Sequence, residues 1–479
     1  MKTFIKISLS AFALIISISL QAQKSWTLEA CINQAISSNI QIQQQSLQTQ
    51  SAKADVLQSK LQAAPSINGS ATNTWQTGFN INPKTNLPEE NLAFRTNSFG
   101  ASANMPLFNG FQTVNNMRLK ESDYKASQFD LENTKNTISL NVANAYLSVL
   151  QQTEILAASN SQADATRKIL ERQQKLYDLG GLNRSKLLQL KAQLSNEEYA
   201  IINNQANLNQ AYLNLWQLIN VEPNNKNTIE KPNQIALDVK DEVKTVDAIY
   251  NEFEKRSPDV VAAQHRLRSA DLQHFVALGG RSVRLSIAGS ASSFYTTLGV
   301  TTQYIAKPNP AIGYYLDGAG VPQKVFSNLP SFEVASSTET PFSDQFKKNF
   351  GTSLGLTLSV PIFNGWSVNT NIQKANIQQM NAKLNEKQVK LNVYKNVNQS
   401  YLNFKNAIKR YEASQETMDA NKEAYEISEK QFELGALNIS DYISSKNSFN
   451  KSQNDYLQAK YEVVFRRKVL DFYEGKPLK

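Results

Sequence analysis

Cysteine is almost missing from this chain, Cys31 being the only one in 479 residues. An intrachain disulfide is therefore impossible, a site built from several thiolates is excluded, and stability has to come from packing. Histidine is nearly as scarce. His265 and His274 are the only two, and their separation does not match the i, i+4 spacing of a helical metal pair. No Ser-His-Asp context, phosphate-cradling glycine loop or Cys/His cluster is evident, so catalysis, a cofactor and a metal are not expected. Long blocks of like charge and basic-aromatic motifs are also lacking. A net charge of +9, from 50 Lys and Arg against 41 Asp and Glu, is a mild bias at this length, and nucleic-acid binding is not expected.

The first residues carry the one long apolar run. Lys2 and Lys6 precede Ile7 to Leu20, and the small residue Ala22 follows. That run is too short for a membrane helix and reads as a signal peptide over residues 1–22. Nothing after it approaches the roughly 18 consecutive apolar residues of a spanning helix, so the mature chain either leaves the membrane or spans it with strands. Leu28 to Cys31 has the outline of a lipoprotein processing box, but Glu29 fits it poorly and Lys24, Ser25 and Trp26 separate it from the apolar run. A thiol packed on a helix is the expected role of Cys31.

What the chain does have is an internal duplication. Met105-Pro-Leu-Phe-Asn-Gly110 returns as Val360-Pro-Ile-Phe-Asn-Gly365, and Tyr177-Asp-Leu-Gly-Gly-Leu-Asn183 returns as Phe432-Glu-Leu-Gly-Ala-Leu-Asn438, both at an offset of 255 residues. Upstream, Ser66-Ile-Asn-Gly-Ser-Ala71 pairs with Ser286-Ile-Ala-Gly-Ser-Ala291 at an offset of 220. The second copy is therefore longer between its first two motifs, by a loop near 296–349 rich in Gly, Pro and Ser that corresponds to a shorter loop near 77–97. A weaker likeness between Thr27 to Ile42 and Thr245 to Val260 starts each copy with a short helix.

Each copy reads as helix, strand, loop, strand, very long helix, glycine turn, long helix. The strands alternate with period two: Leu354, Leu356, Leu358 and Val360 against Gly355, Thr357 and Ser359, and Phe99, Ala101, Ala103 and Met105 against Gly100, Ser102 and Asn104. Runs of about ten residues suit tilted membrane strands. The helices repeat every seventh residue, as in Leu187, Leu194, Ile201, Leu208 and Leu215 and their counterparts Tyr442, Phe449, Tyr456, Val463 and Leu470, which signals coiled-coil packing. Repeat 1 is expected over 23–234, with strands about 65–77 and 97–108 and long helices about 110–179 and 184–219. Repeat 2 is expected over 235–479, with strands about 283–295 and 350–363 and long helices about 365–434 and 440–473. Pro106, Asn109 and Gly110, and Pro361, Asn364 and Gly365, mark the strand-to-helix junctions.

Four strands cannot close a barrel, and an open edge in hydrocarbon leaves backbone groups unpaired at several kcal/mol each. Three copies supply 12 strands and a ring of helix pairs wide enough to enclose water. Trp75, Phe79, Phe294, Tyr295 and Phe350 are candidates for an interfacial girdle.

A signal segment, two tandem copies, strands ending in Pro-Leu/Ile-Phe-Asn-Gly and a Leu-Gly-x-Leu turn between long helices resemble the TolC family of outer-membrane factors over nearly the whole mature chain. The resemblance implies a homotrimeric 12-stranded outer-membrane β-barrel continued by a periplasmic α-helical barrel, with collar segments at 220–243 and 474–479. It implies a channel without catalysis, set in outer-membrane lipid. That channel would serve a tripartite efflux pump or type I secretion system, docked to a periplasmic adaptor and an inner-membrane RND or ABC transporter. The expected docking tips are Leu179, Gly180, Leu182 and Asn183, and Leu434, Gly435, Leu437 and Asn438, with Ser185 or Ser440 as possible helix caps. Family members place acidic residues at the pore entrance. Asp441 fits that pattern, whereas Lys186 replaces an acid and Ser444 stands where a second acid is frequent. Lys186 and Asp441 are thus candidates for a charge-paired gate. The competing readings are a periplasmic adaptor, which normally has one helical hairpin where this chain has two, and a structural coiled coil of an export complex.

Overall fold

A computed structural model describes residues 25–85, 87–181, 183–223, 228–231 and 244–476. The segment expected as signal peptide, Leu182, most of the segment expected as collar and residues 477–479 lie outside the described residues. In chain order the elements are β1 (Ser25–Trp26), α1 (Leu28–Ser38), α2 (Ile40–Leu61), β2 (Ser66–Asn82), β3 (Leu87–Phe108), α3 (Gln112–Asp178), α4 (Arg184–Leu218) and β4 (Thr228–Ile229). There follow α5 (Val246–Glu254), α6 (Pro258–Gly279), β5 (Arg284–Thr296), β6 (Val300–Lys307), β7 (Ala311–Leu316), β8 (Pro322–Phe326) and β9 (Ser331–Glu339). The last are α7 (Phe342–Lys348), β10 (Gly351–Ser359), α8 (Ser367–Glu433) and α9 (Ile439–Glu474).

The duplication is visible element by element. Both copies open on a threonine N-cap: Thr27 Oγ1 accepts from the Ala30 amide at 3.1 Å, and Thr245 Oγ1 accepts from the Ala248 amide at 3.4 Å. Both continue into a second helix of 22 residues, α2 and α6, that the sequence reading did not separate from the first. The very long helices α3 and α8 each have 67 residues, about 100 Å at 1.5 Å per residue.

The chain divides into two units, one of residues 1–55, 119–271 and 377–479, the other of residues 56–118 and 272–376. In the first, the helices pack through the heptad positions. Val142, Val149 and Leu215 join Trp26, Cys31 and Ile32 in one core, while Val397, Phe404 and Leu470, their second-copy counterparts, join Ile249, Phe253 and Val260 in another. Cys31 lies inside α1, fully buried, and burial pushes its thiol up to about 12, which suits a packing thiol.

In the second unit, β10, β5, β3 and β2 form one antiparallel sheet in that order. Two expectations are corrected here. The loop near 77–97 is mostly strand, because β2 and β3 pair from Ser66↔Asn104 out to Asn82↔Leu87. The region near 296–349 holds four strands and a short helix: β6 pairs with β9, β7 pairs with β8, and α7 follows. Its β-branched and aromatic residues (Val300, Thr301, Thr302, Tyr304, Ile305) satisfy strand preference, and Pro308, Pro310, Gly318, Gly320 and Pro330 lie between strands.

Candidate functional site

The sheet is two-faced. Pairing aligns Ile67, Ala103, Gly289 and Leu354 in one row, and Met105, Ile287 and Leu356 in another on the same face. The row between them is Asn104 and Ala288 with Gly355, and the row on the other side of Ala103 is Asn68, Ser102 and Ser290 with Ser353. Because side chains alternate across a strand, the first set gives an apolar face and the second a hydroxyl and amide face. The apolar side chains are not covered within the chain: Ile67 is 76% exposed and Leu354 79%. Such a surface needs lipid on one side and tolerates water on the other. Trp75 and Phe79 are likewise bare. Phe294 and Phe350 are exposed too, whereas Tyr295 is half-buried against Phe342 of α7 at 5.5 Å.

At the strand-to-helix junctions the helices start slightly later than expected. Pro106 does not end its strand: it faces Ser286 within β3, and the register slips between Pro106 and Phe108. Pro361 lies just past β10. Each junction then takes two successive left-handed residues, Gly110 (φ 67°) and Phe111 (φ 62°) in one copy, Gly365 (φ 60°) and Trp366 (φ 66°) in the other. Asn109 closes the first by donating Nδ2 to Thr113 Oγ1 at 2.7 Å, and the Asn364 carbonyl accepts from the Ser367 amide at 3.3 Å in the second. Gly110 is the crowded one, since a Cβ there would sit 2.5 Å from Ser282 Cβ and 2.6 Å from the Gly279 carbonyl oxygen.

The hairpin turns are built alike. The Gly180 amide donates to the Tyr177 carbonyl and the Gly181 amide to Leu176, both at 2.9 Å; Gly435 donates to Phe432 at 3.0 Å and Ala436 to Gln431 at 2.8 Å. This pair of bonds is a Schellman stop, which requires the positive φ of 79° at Gly180 and 76° at Gly435. The helices that follow are capped by Asn183, whose Oδ1 accepts from the Ser185 amide, and Asn438, whose Oδ1 accepts from the Asp441 amide, each at 2.9 Å. The serines expected as caps are thus inside the helices. Leu179 and Leu434 project bare, both 84% exposed. Leu437 instead packs with Ile169, Leu190, Phe432, Ile439 and Tyr442 in a core joining both hairpins.

Lys186 and Asp441 are both exposed, and among the described residues no ion pair joins them within the chain. Asp441 accepts from Asn438 Nδ2 at 2.5 Å, completing the cap of α9.

Sequence reasoning missed the most buried charge. Lys446 is 1% exposed and pairs with Glu197, 7% exposed, at 3.0 Å. Lys446 Nζ also donates to the Gln162 carbonyl at 2.9 Å and to Thr166 Oγ1. Thr166 in turn donates to Glu197 Oε2 at 2.5 Å, and Gln193 donates to Glu197 Oε1 at 2.8 Å and to Asn447 at 2.9 Å. The network ties α3 and α4 to α9. Burial holds the Lys446 ammonium below the ordinary lysine range against the opposing pull of Glu197. No other signal in the sequence separates this lysine from its solvated neighbours.

No helix among the described residues is long and apolar enough to cross a membrane, and among them no group of His, Cys, Asp and Glu could hold a metal.

Comparison with known proteins agrees with this architecture. No curated protein matches the chain. Among solved structures, CusC is similar at 16% identity and TM-score 0.74, with 96% of each chain covered. The Campylobacter jejuni CmeC outer membrane channel matches at 15% identity and TM-score 0.73, covering 94% of this chain and 85% of that one. VceC from Vibrio cholerae matches at 13% identity and TM-score 0.72, covering 94% and 97%. The family model described as outer membrane efflux protein matches residues 31–221 and 328–475, more than half of the chain. The fold class is accordingly a strand domain contributing to a trimeric outer-membrane barrel, joined to an α-helical barrel that extends into the periplasm. The chain belongs to the outer membrane efflux protein family, whose members are outer-membrane channels and not enzymes.

Proposed function

We propose that three copies of the chain form the outer-membrane exit duct of a tripartite efflux pump, giving substrates passive passage from an inner-membrane transporter and a periplasmic adaptor to the outside. The observation that carries this is the four-stranded sheet with one apolar and one polar face and two unpaired edges, β2 and β10. The sheet cannot satisfy its edges alone, and pairing β10 of one copy with β2 of the next in a closed ring of three does so. An adaptor or a soluble coiled coil has no use for such a sheet.

In this reading the bare leucines and backbone turns at Leu179 to Asn183 and Leu434 to Asn438, with Leu437 as a packed support, form the adaptor-docking tips. Lys186 and Asp441 line the entrance and pair between neighbouring hairpins. Exposed pairs contribute about 0 to 1 kcal/mol each, enough for three of them to shift a gate's populations. The deciding experiment is extraction and reconstitution. The mature protein should fractionate with outer membranes, require detergent, crosslink as a trimer and conduct in planar bilayers. A soluble monomer without conductance would end the channel reading.

A further inference from the structure

The buried Lys446–Glu197 pair has no equivalent in the other copy. At the offset of 255 residues that relates the copies, Lys446 corresponds to Lys191, but Glu197 corresponds to Ser452, Thr166 to Asn421, Gln193 to Ser448 and Gln162 to Thr417. Glu429, the other acid whose charge reaches Lys446, corresponds to Gln174. Lys191 is exposed in the chain, and Ser452 is 4% exposed with its hydroxyl donating to the Phe449 carbonyl at 2.9 Å.

A ring of three chains contains six hairpins and two kinds of seam. One is within the chain, where α9 meets α3 and α4. The other is between chains, where α4 of the next copy takes the place of α9 and α8 and α9 take the places of α3 and α4. At the level of Lys446 the first seam holds a desolvated ion pair with every partner hydrogen-bonded. At the positions matching the partners of Lys446, the second presents Lys191 to Ser452, Ser448, Thr417 and Asn421. A buried charge that loses its partner is strongly penalised, so the first seam resists separation, while hydroxyls and amides exchange freely with water.

We infer that Lys446 and Glu197 are positioning residues that lock the two hairpins of each chain into one rigid unit, so that the helical barrel opens along the seams between chains. The inference rests on the channel reading. It makes the duplication functional: two hairpins share a fold while differing at most positions, and the polar differences around Lys446 and Lys191 decide which contacts stay closed.

The test moves the lock to the other seam. Ser452→Glu supplies the missing carboxylate opposite Lys191 of the next chain, Ser452→Gln controls for size, and Ser452→Glu with Lys191→Met removes the new partner. In planar-bilayer recordings of trimers, Ser452→Glu should lower open probability by about tenfold or more, and both other variants should stay within about twofold of the parent. Parent-like conduction by Ser452→Glu, or closure that persists with Lys191→Met, would overturn the inference.

A second measurement does not depend on how Ser452→Glu folds. In a Cys31→Ser background, cysteines replacing Gln162 and Gln453, which hydrogen-bond at 2.7 Å within the chain, are compared with cysteines replacing Thr417 and Glu198, the matching positions between chains. A short bifunctional thiol reagent should crosslink the first pair quickly without affecting current, and the second slowly while arresting it. Equal rates at both seams, or arrest by the within-chain crosslink, count against the lock. Absent current with unequal rates counts against the channel reading alone.

Discussion

Phe432 and Tyr442 stack across the turn between α8 and α9, ring centroids 4.7 Å apart and planes 15° from parallel. Tyr425 extends the ladder, its hydroxyl 3.5 Å from that of Tyr442 and its ring stacked on Phe449 at 5.5 Å. Burial pushes the Tyr442 hydroxyl up to about 12, so it stays neutral through the physiological range. Tyr442→Ala should cost about 3 to 5 kcal/mol. Tyr442→Leu, which installs the residue found at the matching Leu187, should cost only the stacking part, about 1 kcal/mol. Thermal unfolding of detergent-solubilised trimers reads both, and equal losses would argue against the stack.

The two junction glycines separate backbone strain from crowding. Gly110 and Gly365 share a positive φ, but only Gly110 has atoms within 4 Å of a Cβ position. Gly365→Ala should therefore cost about 1 kcal/mol, the left-handed penalty alone. Gly110→Ala adds a clash of about 1 to 3 kcal/mol and should lower the yield of folded trimer. Equal yields would mean that the approach of Gly110 to Gly279 relaxes without cost.

Gly180 and Gly435 have open space around them, so bulky charged residues can be placed there at the cost of the turn alone. Replacing both should leave trimers in the membrane and abolish capture by the adaptor and export. Unchanged export would remove the tips from the docking surface.

Lys186→Glu and Asp441→Lys test the entrance. Like-charge rings should raise conductance or open probability and shift ion selectivity in opposite directions. Asp441→Lys should also weaken the start of α9 by about 0.3 to 1 kcal/mol, because it removes an acid from a helix N-terminus. Wild-type currents from both trimers would leave these residues as solvated surface charges.

Glu154 contributes acid sensitivity to the helical unit. Burial opposes its charge, but the hydrogen bond from Lys231 at 3.1 Å and the charge of Lys460 at 3.4 Å outweigh burial and hold its carboxyl below the usual range. A depressed carboxyl contributes stability that is present above its unfolded pKa, near 4.3, and lost as pH falls through the folded value. Glu154→Gln should lower the unfolding temperature at pH 7 and flatten its fall below about pH 4. An unchanged slope would assign the acid response elsewhere.

Much of this was legible because period and repetition are written residue by residue. The 255-residue offset places both hairpin turns and both junctions, and the heptads from Leu187 to Leu215 and from Tyr442 to Leu470 give the helices within a residue or two. Three things were not legible. The β6 to β9 strands sit among Gly and Pro that look like loop. Asn183 and Asn438 won the caps over Ser185 and Ser440 because the Schellman turn ends the preceding helix so close by that they are already the half-in residues. Lys446 looks like any lysine on a polar face, since the partners that bury it come from α3 and α4, more than 200 residues earlier.

The unpaired edges of β2 and β10 also bear on how the protein reaches its site. The outer edges of β2, 17 residues long, and β10, nine residues long, leave the backbone groups of alternate residues free, and a lone chain cannot bury these in lipid. Insertion and oligomerisation must then be one event, whose rate rises steeply with the local number of chains. Because side chains alternate with period two, a one-residue slip at any of the three joints would turn the apolar face inward. Delivery therefore has to keep single chains in water with their edges shielded until three can meet, and a cell that makes them faster than it can escort them accumulates aggregate in place of channels.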